Sequence, residues 1–334
     1  MMNIAINGFG RIGRSFLRSF LMDATAREKL NIVAINVGPG KVESVAYMFK
    51  YDSFMGTLPY EVTYEHGALV VDGLVIPLIA VMNPADAGWD RFGVDWVIEA
   101  TGAFTTKEKA SLHIAGGAKR VLITAPGKQV DVTIVLGVND DQFDPEKHTI
   151  VSLASCTTNA LAPMLKVLHE KFGIETAFMN TIHSYTNTQV LLDVEAKDLR
   201  ESRAATVSII PSTSGASSAI KEVYPVLTGK ISGMSLRVPV GKISIVDLAF
   251  TSTVELSKQA INEAFQQARD GQLKNILDST TLPLVSIDYT NNPHSVIIDE
   301  LLTDVNGKSA KVFGWYDNEF GYASRLKDFL VKLA

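Results

Sequence analysis

Apolar positions recur in two rhythms along this chain, and the change of rhythm divides it. Residues 3–7 and 31–36 are short, nearly continuous apolar runs, as strands covered on both faces require, while Ile12, Phe16 and Phe20 between them repeat at helical spacing over 11–22. This order predicts a βαβ unit. Further runs at 96–100, 120–124 and 132–135, the first two separated by a helical pattern over 107–115, predict a Rossmann-type, doubly wound parallel sheet in an α/β domain. Beyond about residue 150 the runs lengthen and fill with β-branched residues, at 176–185, 232–240, 244–254 and 284–289, with one amphipathic helix over 257–270. That half reads as an α+β domain with a mainly antiparallel sheet.

Composition narrows the field. With 334 residues, 46% of them hydrophobic, the chain is long enough for two cores. A formal net charge of -5, from 31 basic and 36 acidic residues, supplies no broad positive field. That argues against a dedicated nucleic-acid or membrane partner and for a small molecule. A single cysteine excludes an intramolecular disulfide and fits a reducing compartment. No apolar stretch reaches the roughly 18 residues of a membrane span, and strand-like residues open the chain with no leader before them, so a cytoplasmic protein is expected. The pattern calls for no metal.

Two segments carry candidate chemistry. Gly8-Phe9-Gly10-Arg11-Ile12-Gly13 fits G-x-G-x-x-G between a predicted strand and helix. There, glycines let the backbone approach a pyrophosphate at the helix N-terminus; the plainer reading is an ordinary glycine turn. Ser155-Cys156-Thr157-Thr158-Asn159 lies between a strand-like 150–154 and a helical 163–172. A cysteine in the first helical turn faces the positive end of the dipole, which favours its thiolate and predicts a lowered pKa. The plainer reading is a small buried side chain. A thiolate that attacks an aldehyde needs a base for the proton that is lost with the hydride. Among six histidines, His183 stands in a polar strand-like segment, 180–187, whereas His66, His113, His148 and His169 read as polar or surface helical and His294 as a loop residue. Spacing alone does not pair Cys156 with His183.

Asn7 to Arg14, Ala154 to Asn159, His183 to Asn187 and Trp315 to Tyr322 together resemble, in order and across essentially the whole chain, the signatures of the glyceraldehyde-3-phosphate dehydrogenase family. The resemblance implies Cys156 as nucleophile and His183 as its activating base, with the main-chain N–H of Cys156 helping to hold an oxyanion. It implies that NAD or NADP is held by Gly8, Gly10, Arg11, Ile12, Gly13, Val37, Thr101 and Thr124, with Asn318 on the nicotinamide amide. Thr186, Lys197 and Arg237 would hold the substrate phosphate. Ser155, Thr157, Ser214 and Gly215 would help bind inorganic phosphate. It further implies a homotetramer, a dinucleotide-binding domain over 1–154 with the C-terminal helix, 316–334, packed back on it, and a catalytic domain over 155–315.

Three positions depart from the family pattern. Thr188 replaces a usual aspartate, Glu201 replaces an arginine that helps bind inorganic phosphate, and Val37 stands where an acidic residue often accepts hydrogen bonds from the adenosine ribose. Glu201 puts a carboxylate where phosphate is expected, so it points away, or Arg200 or Lys242 compensates, or phosphorolysis is altered. Val37 removes both the attraction for a ribose and the repulsion of a 2′-phosphate, which predicts that NADP is usable beside NAD. A close relative, the erythrose-4-phosphate dehydrogenases, shares the pattern through Pro293-His294-Ser295 and hydrolyses its acyl intermediate. A catalytically silent dinucleotide-binding protein is the reading from another class, and the survival of both Cys156 and His183 argues against it.

Overall fold

The computed structural model describes residues 1–334, which divide into two compact units. One comprises Met1–Ile134, Asp141–Ala154 and Ala323–Ala334; the other comprises Val135–Asp140 and Ser155–Tyr322.

The first unit opens with β1 (Met2–Asn7), α1 (Arg11–Leu21), α2 (Ala24–Lys29) and β2 (Leu30–Asn36), the predicted βαβ unit with a short second helix. After α3 (Ser44–Lys50) comes an antiparallel meander of β3 (Val62–Glu65), β4 (Ala68–Val71) and β5 (Leu74–Ile79) that the apolar rhythm does not register. Then follow β6 (Trp96–Glu99), α4 (Lys107–Ala115), β7 (Arg120–Ile123), β8 (Val132–Thr133) and β9 (Ile150–Ser152). The nine strands run in the order β3-β4-β5-β2-β1-β6-β7-β9-β8. Because β1 pairs in parallel with both β2 and β6, the winding reverses at β1, which opens a crevice beyond the carboxyl ends of these strands. Ile4, Ala5 and Ile6 are completely buried, as the continuous apolar run requires. Within the same unit Phe329, near the C-terminus, packs edge-on against Trp96.

His113 does not sit at the surface, as its polar helical context suggested: it is completely buried. Trp89 Nε1, which can only donate, lies 3.3 Å from His113 Nδ1, so the imidazole hydrogen is on Nε2 and goes to Glu99 Oε2 at 3.0 Å. Glu99 also accepts from Asn7 Nδ2, at 2.6 Å, and from the Thr101 N–H, at 2.8 Å. A polar network thus underlies the ends of β1 and β6. The surrounding chain satisfies it, which is why these polar residues tolerate burial.

The second unit begins with α5 (Cys156–Phe172) and β10 (Ile174–Ser184), followed by β11 (Ile210–Thr213), α6 (Ala216–Val223), β12 (Ile231–Val238), β13 (Ser244–Ser252) and α7 (Lys258–Asp270). β14 (Leu277–Thr280), β15 (Val296–Asp299), β16 (Asp304–Asn306), β17 (Ser309–Tyr316) and the start of α8 (Phe320–Leu333) complete it. Its sheet runs β11-β12-β10-β13-β17-β15-β14, with β16 on β17; only β10 with β12 and β14 with β15 are parallel. Strict alternation of burial along β13 marks a sheet with one covered face, and α5 lies against it.

The strand expected at 284–289 is absent. Ser286–Tyr289 is instead one turn of 3-10 helix, held by Asp288 Oδ2 accepting the Val285 N–H at 2.8 Å. Val285 and Ile287 are exposed, so their β-branched character finds no sheet face to bury against. The helix read over 163–172 reaches back to Cys156 and carries Pro163 inside it.

Candidate active site

The chain turns from β9 into α5 through Ala154, whose φ of 54° is unusual for a residue with a side chain. Ser155 is the N-cap: its Oγ accepts the Thr158 N–H at 3.1 Å. Cys156 is therefore the first helical residue, as its position between a strand and a helix implied. Its Sγ lies 3.6 Å from Nε2 of His183, near the end of β10. Behind the pair, the buried Tyr316 hydroxyl bridges Thr157, at 2.9 Å, and Thr181, at 2.7 Å. This bridge ties the first turn of α5 to the strand that carries His183. Neither Thr181 nor Tyr316 stood out in the sequence, although Tyr316 lies within one of the four family segments.

Parallel pairing of β10 with β12 makes Arg237 the direct neighbour of His183. Arg237 Nη1 is 2.5 Å from His183 Nδ1 and 3.2 Å from the Ser184 carbonyl, which itself lies 2.7 Å from Nδ1. Nδ1 either donates to that carbonyl or accepts from the guanidinium, since one ring nitrogen cannot do both. Burial first, and then the Arg237 charge, hold the imidazole well below its ordinary value, at about 3. Burial also pushes the Cys156 thiol up, with Arg237 pulling it partly back. Both directions run against the lowered thiol pKa expected from the helix end, because desolvation disfavours thiolate and imidazolium alike.

The remaining residues expected to hold phosphate are distributed unevenly. Ser214 and Gly215 precede α6, where Ser214 Oγ accepts the Ala216 N–H at 3.3 Å. Thr186 Oγ1 lies 2.9 Å from Thr188 Oγ1 and donates to Gln189 Oε1 at 3.1 Å, so Thr188 joins a local hydroxyl cluster. Lys197 is exposed in the loop between β10 and β11 and has no hydrogen bond or ion pair. Glu201 Oε1 accepts from Ser212 Oγ, on the edge strand β11, at 2.7 Å. Lys242 does not compensate for it, because its ammonium is buried against Asp317.

In the first unit, Gly8, Gly10, Arg11, Ile12, Gly13, Val37, Thr101 and Thr124 gather at or just beyond the carboxyl ends of β1, β2, β6 and β7. The glycines fit a dinucleotide. Gly8 has φ +94°, and a Cβ there would meet Thr101 at 2.7 Å; one on Gly13 would meet the Gly8 carbonyl at 2.3 Å. Gly10, the N-cap of α1, has open space around it and supplies no capping side chain. No side chain at Gly10 caps α1, an arrangement that suits an anion at this helix end. Arg11 is engaged by Asp52, which burial opposes but the Met55 N–H, Arg11 and the Phe54 N–H hold ionised, down to about 2.

Comparison with known proteins agrees in both units. Residues 2–107 match the family model for the glyceraldehyde 3-phosphate dehydrogenase NAD binding domain, and 155–318 match that for the C-terminal domain. Glyceraldehyde-3-phosphate dehydrogenase 2 of Bacillus subtilis is 47% identical over 332 residues, covering 99% of this chain and 96% of its own. The Streptomyces coelicolor enzyme is 49% identical over 330 residues (98% and 97%), and that of Geobacillus stearothermophilus is 46% identical over 332 (99% and 98%).

Proposed function

The chain belongs to the glyceraldehyde-3-phosphate dehydrogenase family and is an NAD(P)-dependent oxidoreductase, and from that premise we propose how its own residues carry the reaction. The observation that carries the reading is the 3.6 Å separation of Cys156 Sγ and His183 Nε2 at the N-terminus of α5.

Cys156 attacks the aldehyde carbon of glyceraldehyde 3-phosphate. A carbon–sulfur bond forms while the thiol proton passes through His183 Nε2 to the carbonyl oxygen, giving a hemithioacetal. The resting pair is neutral, so proton transfer accompanies attack. The N–H of Cys156, at the start of α5, stabilises the oxygen as charge develops. His183 then takes the hydroxyl proton as hydride leaves the carbon, giving a thioester on Cys156 and releasing the proton to solvent. Bound NAD or NADP supplies the acceptor for that hydride. An oxygen of inorganic phosphate attacks the thioester, the carbon–sulfur bond breaks, and 1,3-bisphosphoglycerate leaves as the sulfur regains a proton. Arg237, Thr186 and Lys197 bind the substrate phosphate; Ser155, Thr157, Ser214 and Gly215 bind the attacking one. Asn318 contacts the nicotinamide amide.

Glu201 raises the phosphate requirement, since it brings a negative charge to a position where an arginine would attract the anion. NAD and NADP are both substrates, because Val37 offers no carboxylate to the ribose and Lys41 lies exposed in the following turn. Exposed Leu191, Leu192, Leu199, Val207 and Ile209, in the loop between β10 and β11, support a homotetramer in which copies of this chain cover them. No helix is long and apolar enough to cross a membrane, and a cytoplasmic location follows the family.

Initial rates measured with glyceraldehyde 3-phosphate and erythrose 4-phosphate, each with and without inorganic phosphate and with either cofactor, test this. Phosphate-dependent turnover of the triose with both cofactors is expected, and Glu201→Arg lowers the phosphate KM. Phosphate-independent oxidation of the tetrose in preference to the triose would overturn the reading.

A further inference from the structure

The turn between β12 and β13 contains an arrangement that none of these steps uses. Lys242 is only 4% exposed, and lysine is rarely buried unless paired. Its Nζ lies 2.8 Å from Asp317 Oδ2 and 2.9 Å from Asn291 Oδ1. Asp317 also caps the start of α8, with Oδ1 accepting the N–H groups of Glu319, at 3.0 Å, and Phe320, at 2.9 Å. The next residue, Ile243, has φ +72°, a left-handed conformation that a β-branched residue adopts only where its surroundings impose it. From there its N–H reaches Asn318 Oδ1 at 3.1 Å. Ser184 Oγ, one residue beyond the base His183, donates to the same oxygen at 3.0 Å. Two consecutive residues therefore grip two consecutive residues, one by charge and one by a main-chain hydrogen bond.

The grip decides which end of the Asn318 amide is available. A backbone N–H can only donate, so the atom facing Ile243 is the carboxamide oxygen, and with Ser184 both of its lone pairs are occupied. A flipped amide would set two donors against each other. What Asn318 has left to offer is its NH2 group, a donor that suits the carboxamide oxygen of a nicotinamide and not its amino group.

We propose that Lys242 is a positioning residue: its buried ion pair with Asp317 holds the 242–243 backbone against the 317–318 turn, so that Asn318 presents a donor to the nicotinamide carboxamide. The inference rests on Asn318 as the nicotinamide contact. A buried pair of this kind is a poor source of net stability, because desolvation offsets most of the attraction, but it penalises every arrangement that separates the charges. It therefore serves orientation better than an apolar pair would.

Calorimetric affinities for NAD and for ADP-ribose, which lacks the nicotinamide, test this in the full-length protein. Lys242→Met alone leaves a buried carboxylate unpaired, so Lys242→Met/Asp317→Asn, which keeps an oxygen to cap α8, is the informative variant. The ratio of NAD to ADP-ribose affinity is expected to fall about tenfold in Asn318→Ala and in the double variant, the size of one hydrogen bond to a buried group. ADP-ribose binding stays unchanged in both. A fall in Asn318→Ala with an unchanged ratio in the double variant would show that Lys242 is only structural. An unchanged ratio in Asn318→Ala would remove the premise itself, and the inference with it.

Discussion

Two helix N-termini in this molecule are built for opposite ends. α1 starts behind Gly10, which has no side chain to cap it and nothing within 4 Å of where a Cβ would be. α5 starts behind Ser155, whose Oγ takes the Thr158 N–H, and its first residue is the thiol. Both ends carry the partial positive charge of a helix N-terminus. The first has no side-chain cap, which suits an anion. The second has its Thr158 N–H taken by the Ser155 cap and fixes a sulfur atom in its first turn. The dipole alone does not set the outcome: at α5, burial raises the thiol pKa in spite of it.

The largest expected effect comes from removing the partner that makes the second terminus chemical. His183→Asn is expected to lower kcat by about 10²- to 10⁴-fold, the usual worth of a positioned base, with little change in aldehyde KM; a rise in KM alone would contradict this. The same pair has a pH signature. His183 stays neutral down to about 3, so it does not titrate in the working range, whereas the Cys156 thiol sits above its ordinary value. Alkylation of Cys156 by iodoacetamide should therefore rise with pH through and beyond the ordinary thiol range. A fast rate that is flat down to weakly acid pH would indicate a preformed thiolate.

A smaller effect is expected at the N-terminus of α1. Gly13→Ala forces a Cβ against the Gly8 carbonyl, at 2.3 Å in the present backbone, where overpacking costs about 1–3 kcal/mol. NAD affinity and melting temperature should both fall, while alkylation of Cys156 in the cofactor-free protein stays unchanged. The smallest is at the cap: Ser155→Ala should destabilise the protein by about 1 kcal/mol in denaturant unfolding. A loss below a few tenths would mean that the cap is replaced by another acceptor.

The sequence made the α1 end legible because its signal is local: a strand, three glycines and a helix all fall between Met2 and Leu21. The helices at 107–115 and 257–270 were legible for the same reason. The meander at 62–79 was missed even though Asp72-Gly73 carries a hairpin signal, with both residues left-handed, because its strands are short and alternate weakly. The segment at 284–289 looked like a strand because β propensity reports packing surface, whereas only Leu284 and Tyr289 pack here, with Ile297 and Trp315, and Val285 and Ile287 stay exposed. What spacing could not supply at α5 was long-range contact. His183 is 27 residues from Cys156, Tyr316 is 159 from Thr157, and only the pairing of β10 with β12 brings Arg237 to the imidazole. The burial of Lys242 was likewise invisible, since a lysine in a turn normally reads as solvated.

Covalent catalysis at Cys156 is tested most directly by mixing the protein with glyceraldehyde 3-phosphate and NAD in the absence of inorganic phosphate, quenching in acid and measuring intact and peptide masses. A 3-phosphoglyceroyl adduct on the peptide containing Cys156, formed with about one equivalent of NADH per site and discharged when phosphate is added, is the expected result. Reduced cofactor without an adduct on that peptide, or near-normal turnover by Cys156→Ser, would contradict it.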